Sequence, residues 1–257
     1  MIVARTSPVS VGLAGGTRQG RTGETGPVTP SDPAFAGDPA TATYYDQRAA
    51  EYDEWYLSQG RFAERERPGW HAELEHVVGL VAALPPARTL DIACGSAFLT
   101  RHLRGGLVVG LDQSRAMVAL AQTRLPGGLA MVGDALELPF PDGAFDRVLT
   151  GHFYGHLPTS ERTAFLAEAR RVAGELIVID SALRPAVEPE QWQERVLNDG
   201  SRHQVYKRYL TGQQLADELD GEVLLDGTWF AAARTSRPAR YHAATPSRWP
   251  VIPLRAG

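Results

Sequence analysis

Thr89-Leu90-Asp91-Ile92-Ala93-Cys94-Gly95-Ser96-Ala97-Phe98-Leu99-Thr100 runs from a short apolar segment through an acid into a turn of small residues. The apolar run predicts a strand over 89–92, and the residues after the turn predict a helix from about Ala97 to Arg104, ended by Gly105-Gly106. Small side chains in such a turn let a ligand approach the backbone closely. Asp91 distinguishes this turn from a dinucleotide-binding one, because a carboxylate at the strand's end repels a pyrophosphate and attracts a cation.

The same alternation continues outward. A strand over 107–111 is closed by Asp112, and Ser114 is placed to cap a helix reaching about Leu125. A strand over 129–132 ends at Gly133-Asp134, Pro139 to Gly143 forms a turn, and a strand follows over 145–150. Ser160 is expected to cap a helix to about Ala173, before a strand over 176–179. The segment Ala182–Tyr209 interrupts this rhythm with Pro185 and Pro189, a short helical piece around Gln191–Leu197 and the basic aromatic run Arg202–Tyr209; it reads as a substrate-side insertion. A helix over 211–219 and strands over 222–225 and 230–234, joined through Gly227, complete the pattern. This order predicts an α/β fold, a doubly wound and mostly parallel seven-stranded sheet whose ligands sit beyond the carboxyl ends of its strands.

Ahead of the sheet, residues 1–43 have no apolar period and are expected to be disordered. Tyr44–Pro86 reads as a helical cap, with an aromatic amphipathic helix over Asp46–Ser58 and a second helix from about Gly69 to Leu84, stopped by Pro85-Pro86. The domain is expected to span 44–237, with 238–257 as an aperiodic tail.

The formal net charge of −4 and an isoelectric point near 6.0 give no footprint for nucleic acid or an anionic membrane, which points to a small-molecule partner. Cys94 is the single cysteine, so an internal disulfide and a cysteine-based metal cluster are both excluded; no metal site is expected, and a reducing cytoplasm fits. Cys94 itself reads as a small buried hydrophobe. No apolar run approaches the ~18 residues of a membrane helix. The oligomeric state is left open.

Asp91, Asp112 and Asp134 each fall at the carboxyl end of one of the first three strands, so a parallel sheet puts all three along one edge. With this constellation the chain resembles the class I S-adenosylmethionine-dependent methyltransferases of the small-molecule type, over about Tyr44 to Arg234. The resemblance implies that Asp91, Ala93 and Gly95 hold the amino acid part of S-adenosyl-L-methionine, that Asp112 binds the ribose hydroxyls and that Asp134 pairs with the adenine amine. It also places Tyr45, Gln113, Ala135 and Thr150 in the cofactor pocket. Carboxylates suit these tasks, because they attract a sulfonium or ammonium and act only as acceptors toward a diol or amine. Two positions that are glycine in the family turn are here Ala93 and Ala97, and alanine is strained wherever a positive φ is required.

After the fourth strand comes Thr150-Gly151-His152-Phe153-Tyr154-Gly155-His156-Leu157-Pro158. It lacks the Asn-Pro-Pro-Tyr type of sequence found in enzymes that methylate nucleic-acid amines, and the chain has no cysteine free to act as a nucleophile. His152 and His156 are instead the catalytic candidates, as bases for an acceptor hydroxyl or amine. Tyr44, Tyr154, His203 and Tyr206 are the substrate-binding candidates, whereas Lys207 and Arg208 read as a solvated charged face. These features point to methyl transfer onto oxygen or nitrogen of a small molecule. A noncatalytic module binding the same cofactor, or another reaction on the same scaffold, shares most of the pattern. A nicotinamide-dependent oxidoreductase fits less well, because the chain has neither a full Gly-x-Gly-x-x-Gly nor a Tyr-x-x-x-Lys pair.

Overall fold

In the computed structural model, which describes residues 34–125, 127 and 129–235, the opening stretch forms β1 (Thr89–Ile92), buried along its whole length. A strand buried on both faces requires apolar layers above and below and pairing along both edges. β1 pairs in parallel with β2 (Val108–Asp112) on one side and β4 (Phe145–Gly151) on the other. β3 (Leu129–Val132) continues the parallel sheet past β2, and β5 (Ala173–Ser181) continues it past β4. An antiparallel hairpin of β8 (Gly221–Asp226) and β9 (Phe230–Thr235) completes the seven-stranded order β3-β2-β1-β4-β5-β9-β8.

Alternate residues of each central strand face opposite layers. On one side Leu90, Ile92, Val148 and Val178 pack with Phe165 and Ala169 of α5 (Thr159–Val172) and with Leu215 and Leu219 of α6 (Gly212–Leu219). On the other side Leu149, Ile177 and Ile179 meet Trp70, Leu74, Val77 and Val81 of α3 (Trp70–Ala82). Val118 and Ala121 of α4 (Arg115–Arg124) cover Val108 and Ala130, and Cys94 is buried in that same cluster. No helix among the described residues is long and apolar enough to cross a membrane.

Several elements differ from the sequence reading. The expected helix over 97–104 is only a 3-10 turn at Thr100–His102; Ala97, its expected first residue, has a positive φ of 58°, as do Ala93 and Gly95 before it, at 56° and 52°. The left-handed region occurs at single residues and cannot propagate as a helix in L-amino acids. The aromatic cap is split into α1 (Pro39–Arg48) and α2 (Glu54–Leu57), with a 3-10 turn at Ala49–Glu51 between them. Order therefore begins ahead of Tyr44: Asp38 caps α1, and Phe35 is buried. The remainder of the expected disordered segment, 1–33, and the expected tail, 238–257, lie outside the described residues. α5 starts after Pro158, so Ser160 lies inside the helix and is not its cap.

The largest difference is in the insertion. Gln191–Leu197 is not helical; it falls in β6 (Glu190–Val196), which pairs antiparallel with β7 (Arg202–Arg208) as a separate ribbon. The helix-forming residues of β6 are overridden by that pairing, a context effect that local propensity cannot register.

Alanine at a positive φ costs about 1–2 kcal/mol, and the extra chain entropy of glycine returns about 0.5–1 kcal/mol of that. Ala93→Gly is therefore expected to stabilise the domain by about 0.5–1 kcal/mol, a Tm rise of about 1–4 °C in a thermal melt. An unchanged or lower Tm would show that the alanine backbone is not strained.

Candidate active site

The positive-φ turn brings the backbone of residues 93–97 up to the end of β2, and Asp112 locks it there. One oxygen of Asp112 accepts the Gly95 N–H and the other accepts the Ser114 N–H, each at 2.9 Å. Glycine at 95 suits both the φ and the space, because a Cβ there would lie 3.1 Å from the Tyr52 ring. Asp91 is buried at the end of β1 and accepts the Thr100 hydroxyl. Burial pushes Asp91 up to about 7 and Asp112 up to about 6. Neither carboxylate has a cationic side chain beside it among the described ion pairs.

Asp91 opens onto a small hollow shared with Tyr52, Ala93 and Gly151, whereas above Asp112 lies a larger cavity of about 480 Å³, lined in part by Tyr45, Ala93, Gly95, Asp112, Gln113 and Ala135. Phe35, Ala36 and Gly37 cover it from the N-terminal side. Glu161 of α5 holds that strap by accepting the N–H groups of Phe35 and Ala36, and Phe35 stacks on His156 with ring centres 4.7 Å apart. Asp134 is at the rim: it accepts the Leu136 N–H at 2.8 Å, and its other oxygen faces Gly37. The cap is tied to the same edge, since Asp46 accepts the Ser114 hydroxyl while Asp53 accepts the Ser96 hydroxyl and pairs with Arg124.

A second, wider cavity of about 1810 Å³, open at its mouth, adjoins the first. Tyr45, Tyr52 and His152 line both. His152 sits at φ 57°, uncommon outside glycine, which turns its ring in against Trp55, Tyr56 and Phe230. Its Nδ1 lies 3.4 Å from Ser181 Oγ and 3.9 Å from Asp180, while Nε2 is buried without a hydrogen-bond partner. Burial lowers its pKa to about 4 even with Asp180 opposing, so the ring is neutral at pH 7.

Not every residue singled out by sequence reaches this place. His156 lines the wider cavity, but its Nδ1 donates to the Tyr206 carbonyl at 2.6 Å, which ties it to β7. Thr150 is fully buried and donates to the Ile92 carbonyl, linking β4 to β1. Tyr154 is in the core with its hydroxyl on Glu218, and Tyr44 packs against His203. None of Thr150, Tyr44, Tyr154, His203 and Tyr206 lines either cavity. Lys207 is only 2% exposed and pairs with Asp180, and the half-buried Arg208 pairs with Glu218, so the expected solvated face is instead one buried and one half-buried ion pair.

Sequence reading missed the strap at 35–37 and the Asp180–Lys207 pair. Phe35 gave little signal as a lone aromatic in a Gly- and Pro-rich stretch. Asp180 gave more, being a fourth acid near the end of a parallel strand.

Residues 90–175 match the family described as "Methyltransferase domain". A phthiotriol/phenolphthiotriol dimycocerosates methyltransferase of Mycobacterium ulcerans is 37% identical over 135 residues, covering 48% of this chain and 47% of that protein. A demethylmenaquinone methyltransferase of Thermotoga maritima is 34% identical over 113 residues, covering 41% of this chain and 48% of the relative. The chain thus spans about half the length of the curated relatives it matches. Among solved structures, one described as a DhpI-SAM-HEP complex superimposes with a TM-score of 0.62 at 24% identity, covering 76% of this chain and 95% of the other. The domain match, the relatives and the sheet order agree: residues 90–175 match a methyltransferase domain, and the chain is similar to methyltransferases built on this seven-stranded sheet.

Proposed function

We propose that this chain transfers the methyl group of S-adenosylmethionine to oxygen or nitrogen of a small-molecule acceptor. The observation that carries the reading is the pair of adjoining cavities that share His152, Tyr45 and Tyr52 as their common wall. The smaller has the chemistry of a cofactor site and the wider that of an acceptor site. The names of the relatives, which refer to lipid and quinone substrates, support a small-molecule acceptor.

The donor set fits the cofactor. Asp91 and Asp112 are buried carboxylates short of a cation, and Gln113 offers a buried carbonyl oxygen with no partner. Asp91, with the turn at Ala93 and Gly95, would hold the amino acid end; Asp112 and Gln113 would hold the ribose, and Asp134 and Ala135 the base. Bound there, S-adenosylmethionine supplies an electrophilic methyl on a sulfonium. Tyr45 and Tyr52 present aromatic faces that favour a cation, and burial raises their pKa values, so the phenols stay neutral. His152, neutral with Nε2 unpartnered, can take the proton from an acceptor O–H or N–H. The strap at 35–37 and the aromatic cap cover the cofactor side, and holding the two reactants in line is the main catalytic contribution.

Calorimetric titration with S-adenosylmethionine tests the reading. Binding is expected at pH 8 and should weaken roughly tenfold by pH 6, because protonating Asp91 removes the charge that holds the ligand. Absence of heat at millimolar cofactor with a folded sample would refute it.

A further inference from the structure

The wider cavity carries a charge pattern that methyl transfer alone does not require. Its wall includes six cationic side chains, Arg48, Arg65, Arg67, Arg184, Arg195 and Lys207, against two carboxylates, Glu66 and Glu194. Some of that charge is already engaged. Lys207 is paired with Asp180, Glu194 is paired with Arg202, and Arg67 donates to the Trp55 carbonyl and the Ser58 hydroxyl. Arg184 lies over the rings of Tyr209 and Trp229, and Arg65 over Phe62.

Arg195 has no side-chain hydrogen bond, ion pair or ring contact among the described residues, and Arg48 is held only by tyrosines. Arg48, at the end of α1, donates to the Tyr44 hydroxyl and lies 5.2 Å from the centre of the Tyr52 ring. Arg195 enters from β6, set opposite His203 of β7. Neither guanidinium meets a carboxylate among the described residues. They also repel one another, since burial and then the charge of Arg48 lower the pKa of Arg195. Two like charges drawn into one wall, supplied by two different elements, are costly unless an anion joins them. Guanidinium suits this task because its planar fork matches the oxygens of a carboxylate or phosphate-type group.

We propose that the acceptor carries an oxyanion group, seated between Arg48 and Arg195, which orients its nucleophilic atom toward His152. That the bound molecule is the methyl acceptor rests on the reading above, whereas the anion site rests on the cavity itself. The aromatic part of the same wall, Trp55, Trp192 and Trp229, fits an acceptor with an apolar or ring-bearing body behind the anion.

The test is calorimetric titration of benzoate, methylphosphonate and the neutral control benzamide, each into the ligand-free protein and into protein saturated with S-adenosylhomocysteine. At least one of the two anions is expected to bind at least tenfold more tightly than benzamide, and which one does so distinguishes a carboxylate from a phosphate-type group. Arg195→Gln is expected to weaken that anion at least tenfold, with Arg195→Lys in between, while S-adenosylhomocysteine affinity and Tm stay within twofold and about 2 °C of the parent. Equal binding of benzamide, binding by neither anion, or unchanged anion affinity in Arg195→Gln would overturn the inference. So would loss of S-adenosylhomocysteine affinity alone in that variant, which would assign the arginine to the cofactor's own carboxylate. Arg195-dependent anion binding by a protein that fails to bind S-adenosylhomocysteine would uphold the anion site and refute the methyl-transfer reading.

Discussion

Asp112→Ala is expected to weaken S-adenosylhomocysteine binding by about 100-fold or more, measured by calorimetry on a sample whose circular dichroism shows it folded. The size follows from two roles held by one side chain. Its oxygens accept the Gly95 and Ser114 N–H groups and so fix the turn against the helix that follows. The remaining lone pairs face the cavity and are the acceptors available to a ribose diol. Hydrogen bonds to an ionised group contribute about 1.5–3 kcal/mol each, so losing two exceeds the ~2.7 kcal/mol that corresponds to 100-fold. Asp112→Asn keeps one acceptor oxygen and should fall between. Affinity within threefold of the parent in Asp112→Ala would rule out Asp112 as a ligand-holding residue.

The second large effect concerns stability. Asp180 is fully buried; it pairs with Lys207, accepts the Gly155 N–H at 2.7 Å and accepts its neighbour Ser181 N–H at 2.7 Å. Asp180→Ala leaves the Lys207 ammonium buried without its partner, and removing one member of such a pair costs about 3–5 kcal/mol. Urea unfolding should register that loss as a lower midpoint, and Asp180→Ala with Lys207→Met should recover much of it by removing the stranded charge. No recovery in the double variant would show that the backbone contacts, rather than the ion pair, carry the stability.

The same pair sets an acid limb. Burial acts most strongly on Asp180 and raises its pKa, but Lys207, His152 and His156 together outweigh it and hold the carboxyl at about 2, below its ordinary 3.8. Its stabilisation is complete above about pH 4 and disappears as pH falls toward 2. Asp91 and Asp112 work in the opposite sense. Raised to about 7 and 6, they hold protons in the folded state that the unfolded chain releases, so ligand-free stability declines between about pH 4 and 7.

The strands that build the site could be read from the chain because each is a short apolar run closed by an acid or glycine, and its burial follows from that local pattern. β1 and β3 occupy the predicted residues. Helices were legible where a cap stood in sequence, as at Ser114, whose side chain accepts the Met117 N–H. Features set by distant partners could not be read. β6 takes its form from pairing with β7, and Lys207 is buried because Asp180 lies twenty-seven residues away in sequence. The three carboxylates were visible one by one, yet the roles of Phe35 and Arg195 depend on what faces them across a cavity.

The sheet order also bears on how the chain is made. β9 emerges after β8 but lies between β8 and β5, so β8 has no seat in the sheet until residue 235 has left the ribosome. Until then β5 is an open edge whose backbone groups from Ile177 to Ser181 await β9. At about 5–20 residues per second of synthesis, the 54 residues from the end of β5 to the end of β9 leave that edge uncovered for roughly 3–11 seconds. Nascent chains of this protein are therefore most prone to aggregate late in translation, and a stop codon ahead of Phe230 would make that exposure permanent.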